Sequence, residues 1–215
     1  MIADRINKIR ANIPPQVKLV AVSKYTTTES IRAAYDAGVR DFGESRVQES
    51  KIKQEELLDL SDITWHMIGS LQSNKARQAI AQFDWIHSID RLSLAEQCDR
   101  LILELGKSPK LLLQVKLVDD PSKSGWSESE LLDDLSKLKK LQNLNIVGLM
   151  SILPLGLDES QAYEVFSRVG ELAQRLRSLG WNNIQELSMG MSADYAIAVK
   201  AGASIIRVGS QIFMN

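Results

Sequence analysis

Short apolar runs separated by amphipathic stretches recur along the whole chain. The first clear run is Lys18-Leu-Val-Ala-Val-Ser-Lys24, whose β-branched and small apolar residues predict a buried strand over 17–24. An amphipathic opening helix precedes it, and Pro14-Pro15 break the pattern between the two. A capped helix then starts at Thr27 and stops at Gly38, and a short strand covers 39–44. The alternation repeats as a helix over 46–59, a strand over 63–69, a helix over 74–83, a strand over 85–89 and a helix over 91–105. It continues with a strand at 110–117, a polar loop at 119–126, a helix at 128–141, a strand at 145–152 and a long helix at 159–179. A strand at 184–189, a helix at 193–203 and a strand at 204–209 complete it, with almost nothing after the last strand.

Strict alternation of this kind demands parallel strands joined by right-handed crossovers. Eight strands, seven intervening helices and one helix in front fit a single α/β (β/α)8 TIM-type barrel of 215 residues. The N-terminal helix is then expected to fill the place of the missing eighth helix. An open doubly wound sheet is the competing topology. No linker, low-complexity segment or longer repeat interrupts the pattern, so one domain over 1–215 is expected.

Composition narrows the function classes. Twenty-six basic against 27 acidic residues leave a net charge of −1, with no basic tract to grip nucleic acid or an anionic membrane. No run approaches the length needed to span a bilayer, and the N-terminus lacks the apolar core of a signal peptide. The single cysteine, Cys98, shares a helix face with Leu94, Leu101, Ile102 and Leu105, which suits a buried thiol in a reducing cytoplasm.

Parallel barrels collect their reactive groups at the carboxyl ends of the strands. Those positions carry Lys24, Glu44, Ser45, His66, Gly69, His87, Ser88, Lys116, Ser151, Ser188 and Arg207. Lys24 stands out because an ammonium at the end of an apolar strand must either reach water or be put to use as a nucleophilic amine. Val20, Val22 and Lys24 share one strand face, as do Ile205 and Arg207, so an inward Lys24 implies an inward Arg207. Ser188-Met-Gly-Met-Ser192 and Arg207-Val-Gly-Ser210 bring glycine and serine to the seventh and eighth loops, where barrels place phosphate sites. A Schiff-base lysine, a phosphate cradle and an arginine across the mouth together suggest pyridoxal 5'-phosphate (PLP). His66 and His87 lack metal-ligand spacing and are expected to line the rim as polar residues. Ser122-Lys-Ser-Gly125 reads either as a mobile lid or as an ordinary loop.

Seven motifs in order resemble the YggS/PROSC family of pyridoxal-phosphate-binding proteins over essentially the whole chain. They are Ala21-Val-Ser-Lys24, Phe42-Gly-Glu-Ser-Arg-Val-Gln-Glu49, Trp65-His-Met-Ile-Gly-Ser-Leu-Gln-Ser-Asn-Lys75, Ser122-Lys-Ser-Gly125, Gly148-Leu-Met150, Leu187-Ser-Met-Gly-Met-Ser-Ala-Asp194 and Arg207-Val-Gly-Ser-Gln-Ile-Phe213. The resemblance implies a barrel like the alanine racemase N-terminal domain without the second, β-rich domain. It implies that Lys24 holds the cofactor as an internal aldimine, and that Ser188, Gly190, Ser192, Gly209 and Ser210 match the phosphate-binding loops. Arg207 matches the arginine facing the pyridine nitrogen, or else contacts phosphate. The chain departs from the family pattern at Ser45 and Lys116, where asparagine is usual, at Ser70, where proline is usual, and at Met214, where glycine follows the final Ile-Phe.

By the same resemblance the protein is a monomeric factor in vitamin B6 and amino- or keto-acid homeostasis, with PLP and PLP-dependent apoenzymes as its partners. An arginine at the pyridine nitrogen weakens the electron sink that pyridoxal catalysis needs, and the chain has no second domain to supply a base. A non-catalytic holder is therefore expected. The rival is a PLP-dependent amino-acid racemase with His66 or Tyr25 as base, and a third reading is a cofactor-free aldolase acting through Lys24.

Overall fold

The computed structural model describes residues 1–214. Eight strands, Lys18–Val22 (β1), Asp41–Glu44 (β2), Thr64–Met67 (β3), Trp85–Ile89 (β4), Lys110–Val115 (β5), Asn145–Ser151 (β6), Glu186–Ser188 (β7) and Ile205–Val208 (β8), pair in sequence order. Every pairing is parallel, and β8 closes on β1 through the register Lys18 to Ile205 and Val20 to Arg207. The closed barrel is borne out, and the open sheet is excluded.

The outer helices are Ile2–Ala11 (α1), Thr28–Asp36 (α2), Val47–Glu56 (α3), Ala76–Gln82 (α4), Leu92–Leu105 (α5), Glu128–Leu138 (α6), Glu159–Ser178 (α7), Tyr195–Lys200 (α8) and Ser210–Phe213 (α9). Their start signals are written in the sequence. Ser127 and Asp158 open α6 and α7 as capping boxes with Glu130 and Gln161. Apolar stripes then face the barrel, and Ile31, Ile80, Leu94, Leu131 and Phe166 pack with Phe42, Ile86, Leu111, Leu149 and Ile206 in one buried layer. Each such side chain contributes about 1.5–3 kcal/mol of transfer free energy.

The amino-terminal helix does occupy the eighth position. α1 buries Ile6 and Ile9, Arg10 donates to the carbonyls of Ala37 and Gly38 after α2, and Arg5 donates to those of Ile212 and Met214 around α9. The short α9 is absent from the sequence expectation because four residues are too few to show a helical period. Other helices are shorter than their apolar patterns. α8 begins only at Tyr195, because Asp194 Oδ1 accepts from Met191 N at 2.6 Å and holds the preceding residues in a turn. α3 stops at Glu56, whose carbonyl is taken by Arg32.

Inside the barrel the apolar filling is small. Val20, Trp85, Leu112, Met150 and Ile205 form it, flanked by Val147 and Ile152. The remaining interior is polar, and that polarity organises the site.

Candidate active-site mouth

Lys24 lies just past β1, exposed, and its Nζ has no hydrogen-bond or ion-pair partner among the described residues. The chain behind it is pinned. Ser23 N donates to Gly43 O at 2.9 Å, Ser23 Oγ donates to Glu44 Oε1 at 2.7 Å, and the Ser23 carbonyl accepts from Thr26 N and from Lys53 Nζ. Lys53 Nζ also reaches Glu44 Oε1 at 2.8 Å, with the Glu44 side chain wholly buried. Tyr25 follows at φ 61°, a left-handed conformation that costs a tyrosine roughly 1–3 kcal/mol. The local strain and the Ser23 anchor together fix where the Lys24 amine emerges.

The loops after β7 and β8 are stitched to each other and to β1. Arg207 N donates to Gly190 O at 3.0 Å, Gly209 N to Ser192 Oγ at 3.4 Å, and Gln211 Nε2 to Ser192 O at 2.7 Å. Gly190 has φ +93°, and a Cβ there would stand 2.6 Å from the Ala198 methyl, so only glycine lets this loop lie against α8. A Cβ on Gly209 would meet Val22 at 3.1 Å, two residues before Lys24. The amides of Ser210 and Gln211 open α9 and so have no partner within it. The structure thus brings Lys24, Gly190, Ser192, Gly209 and Ser210 to one sector of the rim.

Ser188 and Arg207 sit deeper. Both are buried, Arg207 Nη1 donates to Ser188 Oγ at 2.6 Å, and Nη2 donates to Ser151 O at 2.9 Å. Burial pushes the Arg207 guanidinium down to about 10, which leaves it a cation at neutral pH. The sequence placed His66 and His87 on the rim, but both are fully buried in the barrel interior. His87 Nδ1 lies 2.9 Å from Ser188 Oγ, His87 Nε2 lies 2.9 Å from His66 Nδ1, and His66 Nε2 lies 2.9 Å from Asp41 Oδ1. Lys18 Nζ closes this row on Asp41 at 3.0 Å.

Burial holds both histidines below their usual range, His87 well below it. Burial works to raise Asp41, but the contacts from His66 and Lys18 outweigh it and keep that carboxyl low. The unfolded chain takes up protons on histidine below about pH 6.5, whereas the folded chain resists them, so stability is lost as pH falls through that value. The loss between pH 7 and pH 5 is expected to approach about 2 kcal/mol for His87 and to be smaller for His66, where the Asp41 contact offsets part of the burial. Urea midpoints at the two pH values check this, and equal midpoints would refute it; the chain has only these two histidines.

Other rim residues take other places. Lys116 turns to the Asp120 carbonyl and lines an outer cleft with Ser127, Glu128 and Arg168. Ser45 and Ser70, two of the departures from the family pattern, line one cleft with Arg46, Gln72 and Lys75 beside β2 and β3. The stretch after β5 is strapped down, with Trp126 N donating to Gln114 O and Gln114 Nε2 donating to Ser124 O. Lys18, Asp41 and Lys53 are the working residues missed in the sequence. For Lys18 and Asp41 a signal existed, since each is a charge on the inward face of its own strand.

Three comparisons bear on this geometry. The model of the alanine racemase N-terminal domain family matches residues 1–215. A pyridoxal phosphate homeostasis protein of Synechocystis sp. is 49% identical over 207 residues, covering 96% of this chain and 95% of that one. Its Escherichia coli counterpart of the same name is 37% identical over 203 residues, covering 93% and 86%. Among solved structures, PipY of Synechococcus elongatus with PLP bound superposes with a TM-score of 0.95 at 50% identity, covering 99% of this chain and 100% of that one. An alanine racemase of Clostridium difficile shares the fold, with a TM-score of 0.80 at 14% identity and 55% of its length covered.

Proposed function

The chain belongs to the alanine racemase N-terminal domain family and, within it, to the pyridoxal phosphate homeostasis proteins, and from that premise we propose that it holds PLP as a Schiff base on Lys24 and serves vitamin B6 homeostasis without turning over a substrate. The observation that carries this reading is the free, exposed Lys24 amine at a barrel mouth whose adjoining rim is built by the β7 and β8 loops. When bound, the cofactor supplies an aldehyde for the amine and a conjugated ring that draws electrons.

The residues fit such a group. Gly190, Ser192, Gly209 and Ser210 build the phosphate seat at a glycine-tightened rim, through the Ser192 hydroxyl and the amides of Ser210 and Gln211 that open α9, and Arg207 presents a fixed cation beneath it. Ser188 serves the site by holding Arg207. A base on the substrate face is what a racemase would add. His66 and His87 are committed inside the barrel, and Tyr25 is largely exposed to solvent, which favours a holder over a catalyst.

The same reading makes the protein a cytoplasmic monomer that exchanges PLP with PLP-dependent apoenzymes, as one domain over 1–215. Among the described residues no helix is long and apolar enough to cross a membrane. Burial pushes the lone Cys98 thiol up to about 12, which suits a packing role.

Mixing the protein with PLP is expected to raise a visible band that borohydride traps, and adding a PLP-dependent apoenzyme is expected to restore that enzyme's activity while the band fades. Steady change in the optical rotation of an L-amino acid would instead establish the racemase. A protein that stays colourless would overturn the PLP reading and favour the cofactor-free aldolase.

A further inference from the structure

The polar row through the barrel interior is longer than a site arginine needs for support. Two full histidine rings, a serine, an aspartate and a lysine are lined up from β1 and β2 to β7 and β8, each touching the next. We infer that Lys18, Asp41, His66, His87 and Ser188 form one directional chain of hydrogen bonds, with both histidines neutral and protonated on Nε2, and that this chain positions Arg207 beneath the mouth. The inference rests on the functional reading above only for what Arg207 serves.

The two ends set the direction. A guanidinium can only donate, so Ser188 Oγ accepts from Arg207 Nη1 at 2.6 Å. The single hydroxyl proton of Ser188 then goes to His87 Nδ1, its other neighbour at 2.9 Å. An accepting Nδ1 requires the His87 proton on Nε2, which donates to His66 Nδ1 at 2.9 Å. His66 in turn carries its proton on Nε2 and donates to Asp41 Oδ1, the same oxygen that Lys18 grips at 3.0 Å. Every donor meets an acceptor, and every step is within ordinary hydrogen-bond length.

The reversed direction fails at both ends. It leaves the Ser188 proton without a partner and sets a His66 lone pair against the Asp41 carboxylate at 2.9 Å. Two arrangements remain: His87 as a cation donating to both Ser188 and His66, which sets it against the Arg207 cation across Ser188 and strands the Ser188 proton, and His66 as a cation donating to both Asp41 and His87. The latter puts a second positive charge on a carboxylate already held by Lys18 and takes it out of water on a wholly buried ring. The charged groups bearing on the two rings are Asp41, Lys18, Asp84 and Arg207, and only Asp41 and Asp84 favour the cation.

A chain polarised in one sense leaves Ser188 Oγ as a pure acceptor toward Arg207. With Nη1 on Ser188 and Nη2 on Ser151 O, the planar guanidinium has no freedom to turn. These five residues are positioning residues.

The test uses the wild-type chain labelled with 15N-histidine, whose two histidines give a simple spectrum. Two protonated Nε2 and two unprotonated Nδ1 signals are expected at about pH 7.5 without any ligand. An imidazolium pattern, or a proton on either Nδ1, overturns the chain. Ser188→Ala is expected to move the His87 Nδ1 signal, weaken PLP binding at least tenfold and displace the visible band, with Ser188→Thr restoring all three. PLP is also expected to shift His87 Nδ1 in the wild type and not in Ser188→Ala. If Ser188→Ala folds and binds PLP like the wild type with an unmoved band, the positioning role is lost. A colourless wild type that keeps both Nε2–H signals overturns the functional reading and leaves the chain intact.

Discussion

Lys24→Ala is expected to abolish the visible band that PLP raises on the wild type and to weaken PLP binding by at least about a hundredfold, some 2.7 kcal/mol. The covalent link is lost, whereas the rim made by Gly190, Ser192, Gly209 and Ser210 and the buried Arg207 are untouched. Residual binding through the phosphate is therefore expected, without colour. Lys24 is exposed and its Nζ has no hydrogen-bond or ion-pair partner among the described residues, so unfolding should stay within about 0.5 kcal/mol of the wild type. That contrast makes the variant informative: loss of the band cannot be put down to loss of the fold. A band of wild-type strength in Lys24→Ala would move the linkage to another lysine, with Lys75 and Lys123 as the next amines to replace.

The barrel was legible because its signals are local and repeated. Apolar runs such as Leu111-Leu-Leu113 and Ile205-Ile206, set between capped amphipathic helices, leave few topologies open. Lys24, Arg207 and the two glycine-serine loops were legible for a related reason: strand ends in a parallel barrel converge whatever their separation in sequence. The depth of each residue was not legible. Alternation tells inward from outward, but it does not tell that His66 and His87 sink into the barrel while Ser192 stays on its rim. Depth follows from the stagger between strands, and β4 and β5 shift register between Ile86 and Ile89. The support under Lys24 was hidden for another reason. Lys53 lies on α3, a helix with so few apolar positions that nothing marks this lysine as the one turned inward.

Lys53→Met is expected to destabilise the protein by about 3–5 kcal/mol, because it strands a wholly buried Glu44 carboxylate without its cation. Glu44 Oε2 has no hydrogen-bond partner among the described residues, so Oε1 carries the interaction, accepting from Lys53 Nζ and Ser23 Oγ. For a chain of this length each kcal/mol lowers the melting temperature by roughly 2–4 °C, so a fall of about 10 °C is expected. Removing both charges together in Lys53→Met/Glu44→Leu should recover most of that stability, since two apolar groups need no counterion. Recovery of PLP binding should not follow. The double variant still lacks the Lys53 contact to the Ser23 carbonyl and the Glu44 contact to the Ser23 hydroxyl, which together hold the residue before Lys24. A strained Tyr25 beside a loosened Ser23 is free to relax, and the amine then no longer emerges at a fixed point over the rim. Thermal unfolding and a PLP titration of the single and double variants separate the two effects. If the double variant regains wild-type PLP affinity, the pair stabilises the barrel and has no part in aiming Lys24.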